Sequence, residues 1–462
     1  MKKINGIFAL ILSLACLVSC TKTEQVFLEV SVSSLSMDAK GSPVTFTVHC
    51  SGDWTIIHSG DIPLNVSPSS GKAGQTVTVT LSANENNTGN VRTALVSISG
   101  GHLDRTVNVT QINSTIAGKA RILQKGKASR PPVIFFTGDG YTNSQIEDGG
   151  LFEQNVKEAI GSLFAIEPYA SMKELFTIVQ VAVPSKESGM SNKAGSSKDT
   201  FYKCVWEGGK STSISCDYDL AISTITGAAS QLGIQIDEKN LFICMPINVN
   251  DVYAGTCYTT LSVTSATPPV VTKASCIGMI PVYRGSIKEG QFAKVLSHEF
   301  GGHGIGRLAD EYQYYYKAEK KEEYDKHVTT LRDWHSYGYN YNVSETNDPA
   351  SELWPSDCPW PALAKDSDYD YVGYYQGAYE FKDAFWRSEQ TSCMIDNILY
   401  FNAVSRYEIM KRVYGITGES FDIAKFKSLD KAVPPAATKV ETSPDFRPLG
   451  EPVLEIKYLK MI

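Results

Sequence analysis

Beyond residue 20 the chain has no apolar run long enough to cross a bilayer, no C-x-x-C pair, no basic excess and no H-E-x-x-H motif. Each absence excludes something. A membrane helix needs about 20 apolar residues in a row, so the mature body is expected to lie in water. Without C-x-x-C spacing a cysteine-held zinc has no support. Lys and Arg number 43 against 50 Asp and Glu, and no basic stripe is concentrated anywhere, which argues against nucleic acid as a partner. Cysteine is not scarce, but Cys204, Cys216, Cys244, Cys257, Cys276, Cys358 and Cys393 form an odd set in the larger C-terminal part. Disulfides Cys204–Cys216 and Cys257–Cys276 are the sequence-local candidates in an oxidising compartment, with buried free thiols the equal alternative.

The first residues carry what the rest lacks. Lys2 and Lys3 precede the apolar run Ile7 to Val18, the layout of a secretory signal. Leu17-Val18-Ser19-Cys20 resembles a bacterial lipobox, which implies cleavage after residue 19 and a lipid on Cys20. The expected location is the cell envelope, as an outer-membrane lipoprotein whose only membrane contact is that lipid. Losing residues 1–19 removes two lysines and no acid, so the charge of −7 becomes 41 − 50 = −9.

At 462 residues the chain is long enough for two to three domains. The chain divides into a signal (1–19), a tether (20–26), a β-sandwich (27–112), a Lys-, Gly- and Ser-rich linker (113–130) in which Ala120-Arg121-Ile122-Leu123 could be a strand of the next domain, a larger body (131–433) and a C-terminal extension (434–462). The fold class expected is therefore multidomain: an N-terminal antiparallel β-sandwich followed by an α/β domain with a mixed sheet. In 27–112, short alternating runs such as Val44-Thr45-Phe46-Thr47-Val48 are broken by Gly, Ser and Asn, the pattern of a small sandwich with Trp54 inside. Ser51-Gly52-Asp53-Trp54, Val66-Ser67-Pro68-Ser69-Ser70-Gly71 and Val107-Asn108-Val109-Thr110-Gln111 resemble the BACON domain. That likeness implies glycan or mucin binding or a spacer; the lack of an obvious aromatic platform favours the spacer.

In the body, Val133–Thr137, Leu175–Val183 and Leu241–Met245 read as buried strands alternating with helices. Ile277–Tyr283 is a strand candidate, and Pro281, lacking an N–H, suits a sheet edge. A helix is expected from near Lys288, burying Phe292, Val295, Leu296 and Phe300. Residues 312–379, rich in Tyr and containing Trp334, Trp354 and Trp360, read as loops. Asp366-Ser367-Asp368-Tyr369-Asp370 alternates acids as calcium loops do, but Tyr371 stands where the loop needs Gly. Val453–Tyr458 could form a terminal strand.

The chemistry concentrates in His298-Glu299-Phe300-Gly301-Gly302-His303 and the acids Asp310 and Glu311. Zinc peptidases place two histidines four apart on one helix face, with a Glu between as general base. Here they are five apart, and at about 100° per residue the rings would diverge by roughly 140°. A π-type turn absorbs one residue, and Gly301-Gly302 offers little resistance to one. The spelling resembles the H-E-x-x-G-H site of dipeptidyl peptidase three, where zinc binding survives such an insertion. Downstream, Leu308-Ala309-Asp310-Glu311-Tyr312 resembles the motif end of the bacterial IgA peptidase family of zinc metallopeptidases, which are metzincin-like. Gly138-Asp139-Gly140-Tyr141, Pro184–Gly189, Val372–Ala378, Trp386–Met394 and Phe401–Ile409 extend the likeness across about residues 131–414.

This resemblance implies Zn2+ held by His298, His303 and Asp310, with Glu311 the runner-up, Glu299 as general base, and Met394 packed beneath the metal. Gly306 is expected to release the chain from the helix so that the acid returns to the ion. The implied activity is hydrolysis of peptide bonds in extracellular peptides or proteins, host glycoproteins among them. The alternative is an inactive surface protein that keeps the peptidase fold and binds a host glycoprotein or glycan.

Overall fold

The computed structural model describes residues 26–88, 90–209, 211–264, 270–313, 316–435 and 453–459. The signal segment and Cys20 lie outside the described residues.

The N-terminal module is two facing sheets. One runs in the order Leu28–Val30, Val44–Cys50, Thr76–Ser82, Asn65–Ser67; the other Ser34–Met37, Leu103–Gln111, Arg92–Gly100, Trp54–Gly60, Ser70–Gly71. Period-two alternation turns Phe46, Val48 and Cys50 inward with Val79, Val96 and Val107. Trp54 is buried as expected; Gly71 and Gly100 lie so close to it that a Cβ on either would overlap the side chain. The sandwich is not wholly antiparallel, because Ser34–Met37 pairs parallel with Leu103–Gln111.

The body is built on a mixed seven-stranded sheet: β1 (Ala120–Gln124), β2 (Val133–Phe136), β3 (Thr177–Val181), β4 (Leu241–Ile247), β5 (Thr256–Thr264), β6 (Val271–Pro281) and β7 (Val453–Leu459), in the order β1-β3-β2-β4-β6-β5-β7. Strands β3, β2, β4 and β6 are mutually parallel and apolar on both faces, as a sheet covered on both sides requires. Ile134, Phe136, Phe242 and Cys244 face one layer with Val295, Leu296 and Phe300 from the helix that follows β6. Phe135, Ile243 and Met245 face the opposite layer with Ile225 and Ala228 from the helix Tyr218–Gln231.

Three expectations are corrected. The expected linker 113–130 contains the helix Ser114–Lys119, and its Ala120–Leu123 stretch is, as the alternative had it, a strand of the body: it lies in β1, which pairs antiparallel with β3. Ile112 and Ile116 are buried in the same layer as Phe135 and Ile225, together with Ala39 of the sandwich. Pro281 is not on an edge strand, since β6 lies between β4 and β5. The ladder to β5 extends only to Met279 opposite Thr256, so the missing N–H of Pro281 falls past it. Residues 312–379 are not only loops. They include the helix Lys321–Ser336 and strands that pair in a small three-stranded sheet with Phe381–Arg387. The terminal strand expected at Val453–Tyr458 is present as β7: it extends the sheet parallel to β5, and Tyr258 donates a hydrogen bond to Glu455.

The eight described cysteines are free thiols. Cys204 lies within hydrogen-bonding reach of Cys216, and Cys257 of Cys276, so both proposed pairs are neighbours but not bonded.

Candidate metal centre

The helix after β6 changes pitch at the motif. A single turn at Lys288–Gly290 leads into an α-helix, Phe292–Leu296, and then a π-helix over Ser297–Ile305. The amide of Gly306 donates to the Gly301 carbonyl at 2.9 Å, an i→i+5 bond. Tyr169 Oη donates to that same carbonyl at 2.6 Å. Close packing explains the small residues. A Cβ on Gly302 would overlap Met394 Sδ, and one on Gly306 would lie 2.7 Å from the Gly302 carbonyl oxygen. Gly306 itself is helical, at φ −74°. The chain leaves the helix at Arg307, which takes φ +56°, so the expected role of Gly306 as the breaking point passes to its neighbour.

The widened turn brings residues five apart to the same place. His298 Nε2 lies 3.0 Å from Asp310 Oδ1, and His303 Nε2 lies 3.4 Å from the same oxygen. Their ring centroids are 4.8 Å apart. His298 Nδ1 donates to the Cys393 carbonyl at 3.0 Å and His303 Nδ1 to the Leu308 carbonyl at 2.8 Å. Those bonds fix the tautomer that leaves each Nε2 free as a ligand, the usual outer support of a metal-binding histidine. Tyr312 Oη donates to Asp310 Oδ2 at 3.0 Å, holding the carboxylate by its other oxygen.

The donor set fits a divalent metal. His298 Nε2, His303 Nε2 and Asp310 Oδ1 are buried without a geometrically sound hydrogen-bond partner, and one donor atom from each residue lies within 4.8 Å of the other two. Buried polar atoms are otherwise paired, and two imidazoles with one carboxylate is a catalytic-zinc donor set. Among the described residues this is the one such group of three or more metal-binding side chains. Asp366 and Asp368, weighed for calcium, instead pair with Lys427 at 2.8 Å and 2.7 Å.

Glu299 lies beside this group with both carboxylate oxygens buried and unpartnered. Burial raises its pKa above the usual carboxylate value, opposed by the two imidazoles. Space for it is kept by Gly255, where a Cβ would lie 2.8 Å from Glu299 Cγ. Burial works against the charged form of His303, but the Asp310 carboxylate outweighs it and carries the pKa to about 9 in the metal-free protein. The same contact holds Asp310 low despite its burial.

Glu311 goes elsewhere. Its carboxylate accepts hydrogen bonds from Ser392 Oγ at 2.5 Å, Asn342 Nδ2 at 2.9 Å and Asn402 Nδ2 at 2.7 Å, and its amide donates to the Met394 carbonyl. It ties together three segments around the centre. Met394 is buried against Gly302, a packing contact. The conspicuous Asp139 is likewise a structural tie, accepting from Thr200 Oγ1, Tyr202 N and Cys204 N. The site residues that the sequence reading passed over are Tyr312, Tyr169 and the carbonyls of Cys393 and Leu308. Only Tyr312 carried a signal, as the last letter of the Asp-Glu-Tyr run.

Residues 64–111 match the family model BACON, described as "Putative binding domain, N-terminal". That match supports the resemblance of the N-terminal sandwich. No curated protein matches the chain. Among solved structures, the chain is similar to a Bacteroides ovatus GH5 xyloglucanase in complex with a heptasaccharide, at 17% identity over 48% of this chain and 45% of that one, TM-score 0.19. It is also similar to a chaperone–tip adhesion subunit pre-assembly complex of Acinetobacter baumannii Csu pili, at 12% identity over 20% of this chain and 60% of that one, TM-score 0.17. Likenesses this slight carry nothing about the body or its metal centre.

Proposed function

We propose that this chain is a zinc-dependent metallopeptidase, akin to the bacterial IgA peptidase family, acting on extracellular peptides or proteins from a lipid anchor at Cys20. One observation carries the reading: three buried donor atoms without sound hydrogen bonds converge, with an unpartnered buried carboxylate beside them. Zinc held by His298, His303 and Asp310 would supply an activated water and polarise the scissile carbonyl. Glu299 takes the proton from the attacking water and returns it to the leaving amine. Its raised pKa suits a group that must both accept and release a proton near neutrality. Tyr312 and the carbonyls of Cys393 and Leu308 keep the donor atoms pointed inward, so little reorganisation remains when the metal arrives.

One observation favours a second reading. His298, Glu299, His303 and Asp310 are each no more than 2% exposed, as in a closed structural site on a binding protein. The two separate on one experiment. Mature protein is assayed for zinc content and for cleavage of a peptide library read by mass spectrometry, beside Glu299→Gln. The peptidase reading expects stoichiometric zinc in both proteins and a loss of turnover of about 10²–10⁴-fold in the variant. Stoichiometric zinc with no cleavage of any peptide by the native protein would assign the chain to the binders.

A further inference from the structure

The seven-stranded sheet ends on a strand that joins it through β5 alone. Strand β7 pairs with β5 from Val453 opposite Tyr258 to Leu459 opposite Thr264, and has no strand on its other side among the described residues. Val453, Glu455 and Lys457 are exposed. Ile456 is partly buried beside Leu261, Val263 and Trp334, and Tyr258 Oη donates to Glu455. The edge that β7 covers leads to the metal centre. Just before β5, a Cβ on Gly255 would lie 2.8 Å from Glu299 Cγ, and the Cys257 amide approaches the Glu299 carboxylate without a sound hydrogen bond. Pairing with β7 begins at the next residue, Tyr258. The centre itself is closed, with His298, Glu299, His303 and Asp310 no more than 2% exposed.

A peptide cannot reach a closed centre until something beside it moves. A sheet edge freed of its outer strand presents a row of backbone donors and acceptors with which an extended peptide can pair. We infer that the edge of β5 is the docking site for peptide substrate in extended form, and that β7 is an internal occupant which the substrate must displace. The fold suits such an exchange. No β7 residue belongs to either of the two large core layers of the body, and the ladder between β5 and β6 is complete without it. Its departure therefore frees one edge and leaves both layers in place. Docking through the backbone along Tyr258–Thr264 selects extended chain over helix and asks little of any one side chain. That the docked strand is a substrate rests on the peptidase reading; that β7 yields its place to another strand does not.

The double variant Glu455→Pro/Ile456→Pro in the full mature protein tests the exchange. Consecutive amides of a strand point to opposite edges, so the pair removes one donor facing β5 whichever residue carries it, together with the Tyr258 bond and the Ile456 contact. A fluorescent peptide of residues 453–459, read by anisotropy, should bind the variant at least tenfold more tightly than the native protein, with equal zinc content in the two. On a peptide library the variant should show KM lowered at least tenfold and kcat little changed, since β7 competes with substrate and takes no part in the chemistry. A disulfide lock, Thr260→Cys/Glu455→Cys, joins partners in the ladder without loosening the fold. Its oxidised form should neither bind the peptide nor cleave the library until reduced. Peptide binding equal in native protein and double variant, or full activity in the oxidised lock, would overturn the inference. Peptide binding gained in the double variant with no cleavage by either protein would support strand exchange and refute the peptidase reading instead.

Discussion

Adding one methyl group at Gly302 probes the centre harder than removing a ligand. A Cβ there would overlap Met394 Sδ and lie 3.0 Å from its Cε, while Met394 is fully buried. The thioether is flexible, but it has no empty space to enter, and overpacking of this kind costs about 1–3 kcal/mol. The displacement is not local to Met394. The carbonyl of Cys393, next in the chain, orients His298, and the Met394 carbonyl accepts from Glu311. Gly302→Ala should therefore cost zinc affinity as well as stability, by about 10–100-fold, the range found when outer support of a ligand is lost. Met394→Ala alone should destabilise by about 2–5 kcal/mol through the cavity it leaves. The double variant fills that cavity with the new methyl and should be more stable than the sum of the singles by about 1–2 kcal/mol. Thermal unfolding in chelator and zinc competition with a chromogenic chelator give both quantities. Additive losses in the double variant, or a Gly302→Ala protein with unchanged zinc affinity, would refute the packing argument.

What could be read in advance was what depends on residue type at short range. His298, Glu299, His303 and Asp310 fall within thirteen residues, and the glycine pair signals a widened turn because no other residue yields so readily. What props that turn open was not legible, because it comes from far along the chain: Tyr169 caps a carbonyl 132 residues away. The helix Lys321–Ser336 was missed for a different reason. It buries only His327, Leu331 and Trp334, too narrow a stripe to stand out against its charges. Pro281 misled because a proline at the end of an internal strand looks the same, in sequence, as one on an edge. The Ile112 and Ala39 contacts were hidden by composition: the Lys-, Gly- and Ser-rich stretch 113–130 reads as a linker where the two cores share a layer.

Two further expectations follow from the same geometry. Tyr312→Phe removes the bond to Asp310 Oδ2 and should lower zinc affinity by about 10–100-fold with little change in Tm, measured by metal competition and calorimetry; an unchanged affinity would mean that Asp310 is held by its surroundings alone. The last concerns pH. In the metal-free protein His303 is raised from an ordinary value of 6.5 to about 9, chiefly because Asp310 outweighs the cost of burial. A raised histidine stabilises the fold fully below its unfolded pKa, and the contribution fades as pH climbs through the folded value. Tm in chelator should thus fall between pH 6.5 and about 9, and His303→Gln should flatten that slope. Zinc must displace the same proton, so affinity should rise over the same interval, with buffer-dependent heats showing proton release. A metal-free protein whose Tm is level across this window, or zinc binding that releases no proton at neutral pH, would mean that the His303–Asp310 pair is not charged before the metal binds.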